Sequence, residues 1–275
     1  MTPSRLLADL ARFPWLTTAQ TVRERFREDR LGVTASSLTF TTTIALVPFF
    51  AVVLALFTAF PIFGKMQQTL QSWLVQSLVP DAIARQVLGY LTQFAGKASR
   101  LGGVGLAALV ASVFALVLTI DRTLNGIWRV RRTRPLMLRL LIYWAALTLG
   151  PLLMAASLGT SSYLISASRG LVEAVPGVVS FAINAFEFLL LAAALSAMYY
   201  VVPYTPVKRA HALAGGVFAA VGIEAAKRLL AWYIGTVPTV SVVYGAFATL
   251  PILLVWIYIA WVIVLLGAVI AAYLP

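Results

Sequence analysis

Long apolar runs separated by short charged segments organise this chain. Six of them, at 38–63, 101–120, 136–165, 179–202, 210–234 and 251–273, reach or approach the ~20 residues that a helix needs to cross a hydrocarbon layer. Residues 1–32 are polar and basic. Within them 17–30 reads as a short helix, with Val22 and Phe26 on one side and charges of both signs around the rest, after an interfacial anchor at Phe13, Pro14 and Trp15. Residues 65–100 are too polar to span. Met66, Leu70, Trp73, Leu74 and Leu78 recur at helical spacing, Pro80 interrupts, and Ile83, Val87, Leu91 and Phe94 resume the pattern. That predicts an amphipathic helical hairpin resting on the outer interface.

Several runs carry helix-breaking residues. Pro48 lies inside the first, after the hydroxyl-rich stretch 36–43, whose Thr side chains can satisfy the carbonyl that a proline frees. A kinked, packed helix and a hydrated lining both fit that stretch. Gly150 and Pro151 interrupt the third run, and Ala155, Ala156, Ser157, Gly159 and Thr160 beyond them permit close helix approach. The last run, 240–274, is too long for one crossing: at 1.5 Å per residue it would extend about 50 Å against ~30 Å of hydrocarbon. A break is therefore expected near Gly245 or Pro251. The predicted fold is one all-α, polytopic membrane domain over 1–275, with six transmembrane helices and kinked or broken third and sixth spans.

Composition strengthens this picture. Of the 275 residues 61% are hydrophobic and 11% charged, and mean hydropathy is +0.93, whereas a soluble domain is about 45–50% apolar and about 25% charged. There is no cysteine and one histidine, which excludes disulfides and thiolate metal sites; no metal and no cofactor is expected. The N-terminal residues lack a signal-peptide pattern, so the first span is expected to be an uncleaved anchor.

The net charge of +12 matters through its distribution. Fourteen Lys and Arg fall in 1–32, 122–139 and 203–211, and five fall in the opposite loops. The positive-inside rule then puts both ends of the chain in the cytoplasm. The basic segment Arg122, Arg129, Arg131, Arg132 and Arg134, at the foot of the second span with Asp121 and Asn125, has two readings. It either sets topology or binds anionic headgroups. Asp121 is expected to pair with a nearby arginine.

Charges within the apolar runs are the sharper signal, because a charge at membrane depth costs several kcal/mol unless it is paired or reaches water. Glu224, Lys227 and Arg228 lie in the fifth span and Glu187 in the fourth. Counted from the inner ends of their spans, both carboxylates lie about 21–22 Å deep, so two antiparallel neighbours would place them in one layer. Lys227 and Arg228 stand at i+3 and i+4 from Glu224, where helix side chains meet. Ala212, Gly216 and Ala220 form a small-residue ridge running into Glu224. Local pairing with outward snorkelling and a polar site on an amphiphile pathway both fit. Enzyme chemistry does not: Asp9, Asp29, Asp81 and Asp121 are scattered along the chain, His211 is alone, and no nucleotide-binding signature occurs.

Several stretches resemble the YihY/BrkB family of bacterial inner-membrane proteins, and its YihY branch most. They are A-S-S-L-T-F and A-L-V-P-F-F within 35–50, D-R-T-L-N-G-I-W-R at 121–129, T-L-G-P-L-L at 148–153, E-A-A-K at 224–227, Y-G-A-F-A at 244–248 and L-L-G-A at 265–268. Thr41 and Ile223 depart from the aromatic residues common in relatives. The resemblance implies a bacterial inner membrane and little settled function; an older ribonuclease label is regarded as a misassignment. The expected function is transport or flipping of an anionic lipid or other envelope amphiphile. The alternative is a non-transporting structural protein of envelope integrity. Expected partners are membrane lipids and no nucleic acid, with a homo-oligomer or an envelope protein partner left open.

Overall fold

The computed structural model of the chain describes residues 15–59, 102–131, 134–135, 137–139, 141, 143–144, 176–236 and 249–273. Among the described residues there is helix and connecting turn but no strand. The long helices are α1 (Trp15–Glu28), α2 (Leu31–Ala59), α3 (Gly102–Ile127), α4 (Pro176–Val201), α5 (Arg209–Thr236) and α6 (Thr249–Tyr273). Helical residues at 137–139 and 143–144 fall at the start of the third apolar run. The expected hairpin at 65–100, together with Arg132, Gly150, Pro151 and Gly245, lies outside the described residues.

Helix α2 begins at Leu31 instead of 38. Leu31, Ala35 and Leu38 are each at most 1% exposed and recur at i, i+4 and i+7, so one stripe is apolar from the outset. The hydroxyls that alternate with that stripe depress the average hydropathy and hide the start. Thr34, Ser36, Thr39, Thr41 and Thr43 each donate to the carbonyl four residues back. Each thereby satisfies one hydrogen bond against the helical backbone. Helix α2 continues through Pro48 to Ala59. Pro251 is the third residue of α6, where the backbone N–H has no intrahelical acceptor to lose, so among the described residues it opens a helix and does not interrupt one.

Helix α5 is sandwiched between α4 and α6, and its small residues set both contacts. Ala212, Ala219 and Ala220 are at most 2% exposed. A side chain at Gly216 would strike the Ser196 hydroxyl and come within 2.7 Å of its amide and 2.9 Å of the Ala192 carbonyl. On the other face, one at Gly215 would strike the Gly267 carbonyl and one at Gly222 would meet Ile263 at 2.7 Å. The backbones touch because no Cβ intervenes. Polar side chains fix the remaining crossings. The Tyr199 hydroxyl donates to the Val264 carbonyl at 2.7 Å, the Trp261 indole donates to the Thr42 hydroxyl at 2.9 Å, and the Tyr273 hydroxyl donates to the Ile127 carbonyl at 3.2 Å.

Among the described residues, Val110–Ile127 and Leu250–Tyr273 are long and apolar enough to cross a membrane; Leu31–Leu46 and Ala185–Val201 are shorter apolar stretches. The outward side of α5 is apolar too: Leu213, Val217, Phe218, Val221, Leu229 and Trp232 are all exposed.

Candidate functional site

Two charged clusters result, and they differ in kind. The first closes the end of α3. Asp121 and Asn125 lie one turn apart on its buried face, and the Asn125 amide donates to both the carbonyl and the carboxylate of Asp121, each at 2.9 Å. The Asn125 side-chain oxygen in turn accepts from the backbone N–H of Tyr204, in the link between α4 and α5, at 2.8 Å. Asp121 forms an ion pair with Arg139 at 3.2 Å, and these side chains are 3% and 7% exposed. One turn beyond Arg139, Tyr143 is also buried. Arg134 donates to the Val201 carbonyl at 2.8 Å and lies over the Tyr204 ring. Three separate segments are therefore tied together by charge-assisted and amide hydrogen bonds, with little water to compete.

The expected pairing of Asp121 with an arginine is made by Arg139. That residue had counted only as one more topology charge. Its signal was its position: it lies inside the third apolar run, as Glu187 and Glu224 lie inside theirs. The Tyr204 amide carries no sequence signal at all, because backbone donors are uniform along a chain.

The other described arginines of the basic segment face outward. Arg122, Arg129 and Arg131 are exposed. Arg129 is 3.8 Å from Glu28 at the end of α1 and has a positive φ of 52°. Its amide bonds the Gly126 carbonyl at 2.9 Å while the Val130 amide reaches back to the Asn125 carbonyl at 3.0 Å. That pair is the Schellman pattern that ends a helix, with arginine where glycine is usual.

The second cluster lies in α5. Glu224 pairs with Lys227 at 3.6 Å and with Arg228 at 3.1 Å. The Lys227 side chain is 21% exposed and that of Arg228 81%, so the pair splits: lysine lies along the protein and arginine points away from it. The close approach of Gly216 to Ala192 and Ser196 fixes the register of the α4–α5 hairpin. Two turns further from the link, that register brings Glu224 level with Glu187. Both stand about 21–22 Å from their helix ends at the link. Glu187 is half-buried. No group of three or more His, Cys, Asp or Glu that could hold a metal occurs among the described residues.

The chain has close relatives of known sequence. A "UPF0761 membrane protein" of Verminephrobacter eiseniae is 67% identical over 270 residues, covering 98% of this chain and 65% of that protein. One of Albidiferax ferrireducens is 65% identical, with the same coverage. One of Bordetella petrii is 46% identical over 277 residues, covering 99% of this chain and 61% of that protein. The chain thus spans just under two thirds of the length of these relatives. No solved structure matches it. The Virulence factor BrkB family matches residues 22–275, which includes five of the six long helices whole and part of α1. The resemblance read from the motifs is borne out: this chain is a membrane protein and belongs to the Virulence factor BrkB family.

Proposed function

We propose that this chain forms the membrane domain of a transporter or flippase-like protein for an anionic lipid or similar envelope amphiphile. In this reading it has six spans in a bacterial inner membrane, both ends of the chain are cytoplasmic, and it performs no enzyme chemistry. One observation carries the proposal. Glu224, Lys227 and Arg228 form a charged cluster on a helix whose outward side carries exposed Leu, Val, Phe and Trp, and the Arg228 side chain, 81% exposed, points away from the protein. In lipid such an outward-pointing guanidinium attracts an anionic headgroup. Helix α5 has 28 residues and is therefore about 42 Å long, so it overhangs ~30 Å of hydrocarbon by about 6 Å at each end. Arg228 lies eight residues before Thr236, about 12 Å from the helix end and about 6 Å inside the hydrocarbon, within reach of a headgroup by snorkelling. Exposed Trp232 and Tyr233 stand one turn further out, where aromatic belts form.

A second reading, a non-transporting scaffold of envelope integrity, is favoured by one fact: both ion pairs of Glu224 are made within its own helix.

The test combines binding and function. Purified protein is examined by native mass spectrometry with phosphatidylglycerol and with phosphatidylcholine, and Glu224→Gln and Lys227→Met are each expressed in a deletion strain. We expect preferential retention of phosphatidylglycerol, weakened by Lys227→Met. Both variants should fold with wild-type thermal stability yet fail to restore the envelope phenotype. Equal retention of the two lipids, or variants that only fail to fold, would replace transport by the scaffold reading.

A further inference from the structure

The cluster at the end of α3 has more hydrogen-bonding capacity than its neighbours use. Asp121, Arg139 and Tyr143 are 2%, 6% and 5% exposed. Around their contact, three buried polar atoms lack a hydrogen bond of acceptable geometry: Asp121 Oδ2, Arg139 Nε and the Tyr143 hydroxyl. They converge. Asp121 Oδ2 is the oxygen that faces Arg139 Nη2 at 3.2 Å, and the Tyr143 hydroxyl stands beside both the carboxylate and the guanidinium, near enough to Asp121 that a direct bond between them is the competing arrangement. Arg139 and Tyr143 are four residues apart on a helical segment, so their side chains share one face. The other carboxylate oxygen is already held by Asn125.

We infer that these three atoms form a binding site for one water molecule. The charges select the ligand. An anion would meet the Asp121 carboxylate and a cation the Arg139 guanidinium, and the pair is neutral as it stands. What fits is a small neutral molecule that both donates and accepts. A water accepts from Arg139 Nε–H, donates to Asp121 Oδ2 and exchanges a further bond with the Tyr143 hydroxyl. Those three partners match the two to four that a buried water requires. The water completes the junction among α3, the start of the third run and the α4–α5 link, and makes the buried ion pair a hydrated one. This site is separate from the α5 cluster and does not rest on the transport reading.

X-ray hydroxyl-radical labelling of the wild-type protein in lipid nanodiscs tests it, because labelling inside a protein depends on water held against the side chain. Tyr199 is the internal control. It is as inaccessible as Tyr143 (0% exposed), but its hydroxyl is bonded to the Val264 carbonyl. We expect Tyr143 to be modified several-fold faster than Tyr199. After brief mixing into H2¹⁸O, its label should retain ¹⁶O, as a held water exchanges slowly with bulk. If Tyr143 is as silent as Tyr199, its hydroxyl bonds Asp121 directly and the proposal fails. If the label is ¹⁸O from the first time point, the position is an open aqueous path and the proposal of a held water also fails.

Discussion

Replacing Arg139 by Met should be among the most damaging single changes of an arginine in this chain. The substitution keeps an unbranched apolar stem of similar reach but removes the partner of Asp121, whose side chain is 3% exposed. The carboxylate would keep its Asn125 bond and lose its counter-charge at a position shielded from bulk solvent. Breaking a buried pair from one side costs about 3–5 kcal/mol. That corresponds to a fall in melting temperature on the order of 10 °C for a domain of this size. Arg131→Met, at an exposed position, should cost at most about 0.5 kcal/mol, so the two arginines calibrate each other. Thermal unfolding in detergent, followed by tryptophan fluorescence, gives the comparison. The double variant Asp121→Asn with Arg139→Met should recover most of the loss, because no unpaired charge remains and the amide oxygen introduced at position 121 can still accept from Asn125. An Arg139→Met protein within about 1 kcal/mol of wild type would refute the reasoning. So would a double variant whose loss is simply the sum of the two singles.

Two further tests use backbone geometry. Gly216→Val should destabilise by at least about 1–3 kcal/mol, the usual cost of overpacking, since backbone atoms of α4 stand in the way; Gly126→Ala, with nothing within 4 Å of the added carbon, should instead stabilise by up to about 1 kcal/mol. Urea or thermal unfolding of the pair in one detergent checks the opposite signs. Arg129→Gly should raise stability by about 1 kcal/mol by removing a left-handed, non-glycine residue from the helix end, since the pairing at 3.8 Å that it gives up is between exposed groups. A melting temperature that falls in this variant would mean that the contact with Glu28 outweighs the backbone strain.

The sequence and the structure agree where a single helix decides the answer. Helices α2 to α6 fall on apolar runs, and the spacing of Glu224, Lys227 and Arg228 anticipated both ion pairs, because i+3 and i+4 neighbours meet on any α-helix. Likewise the i, i+4 spacing of Asp121 and Asn125 puts them one turn apart, and they are bonded. Hydropathy misled at Leu31, where buried Leu and Ala positions alternate with hydroxyls that bond back to their own helix. Averaging over a window erases a stripe that periodicity keeps. The choice of Arg139 over its neighbours was not legible. Which arginine of a basic segment turns inward depends on where the next helix lies, and that is a tertiary fact.

The two clusters also show why counting charges does not assign roles in a membrane protein. Arg139 and Arg228 both lie within apolar runs, both pair with a carboxylate and both weigh equally in a topology count. Their surroundings separate them. Arg139 is buried against Asp121 of α3, which Asn125 ties in turn to the α4–α5 link, so its charge helps to fix three segments to one another. Among the described residues Arg228 pairs along its own helix, and it points away from the protein, so its remaining hydrogen-bonding capacity faces whatever lies outside. A buried pair broken from one side loses folding energy. An exposed pair at the edge of the bilayer contributes little to folding and is free to exchange partners. Loss of Arg139 should therefore register first in the melting temperature, and loss of Arg228 first in which lipids remain bound. Arg228→Met that melts as early as Arg139→Met while keeping its lipid preference would reverse that assignment.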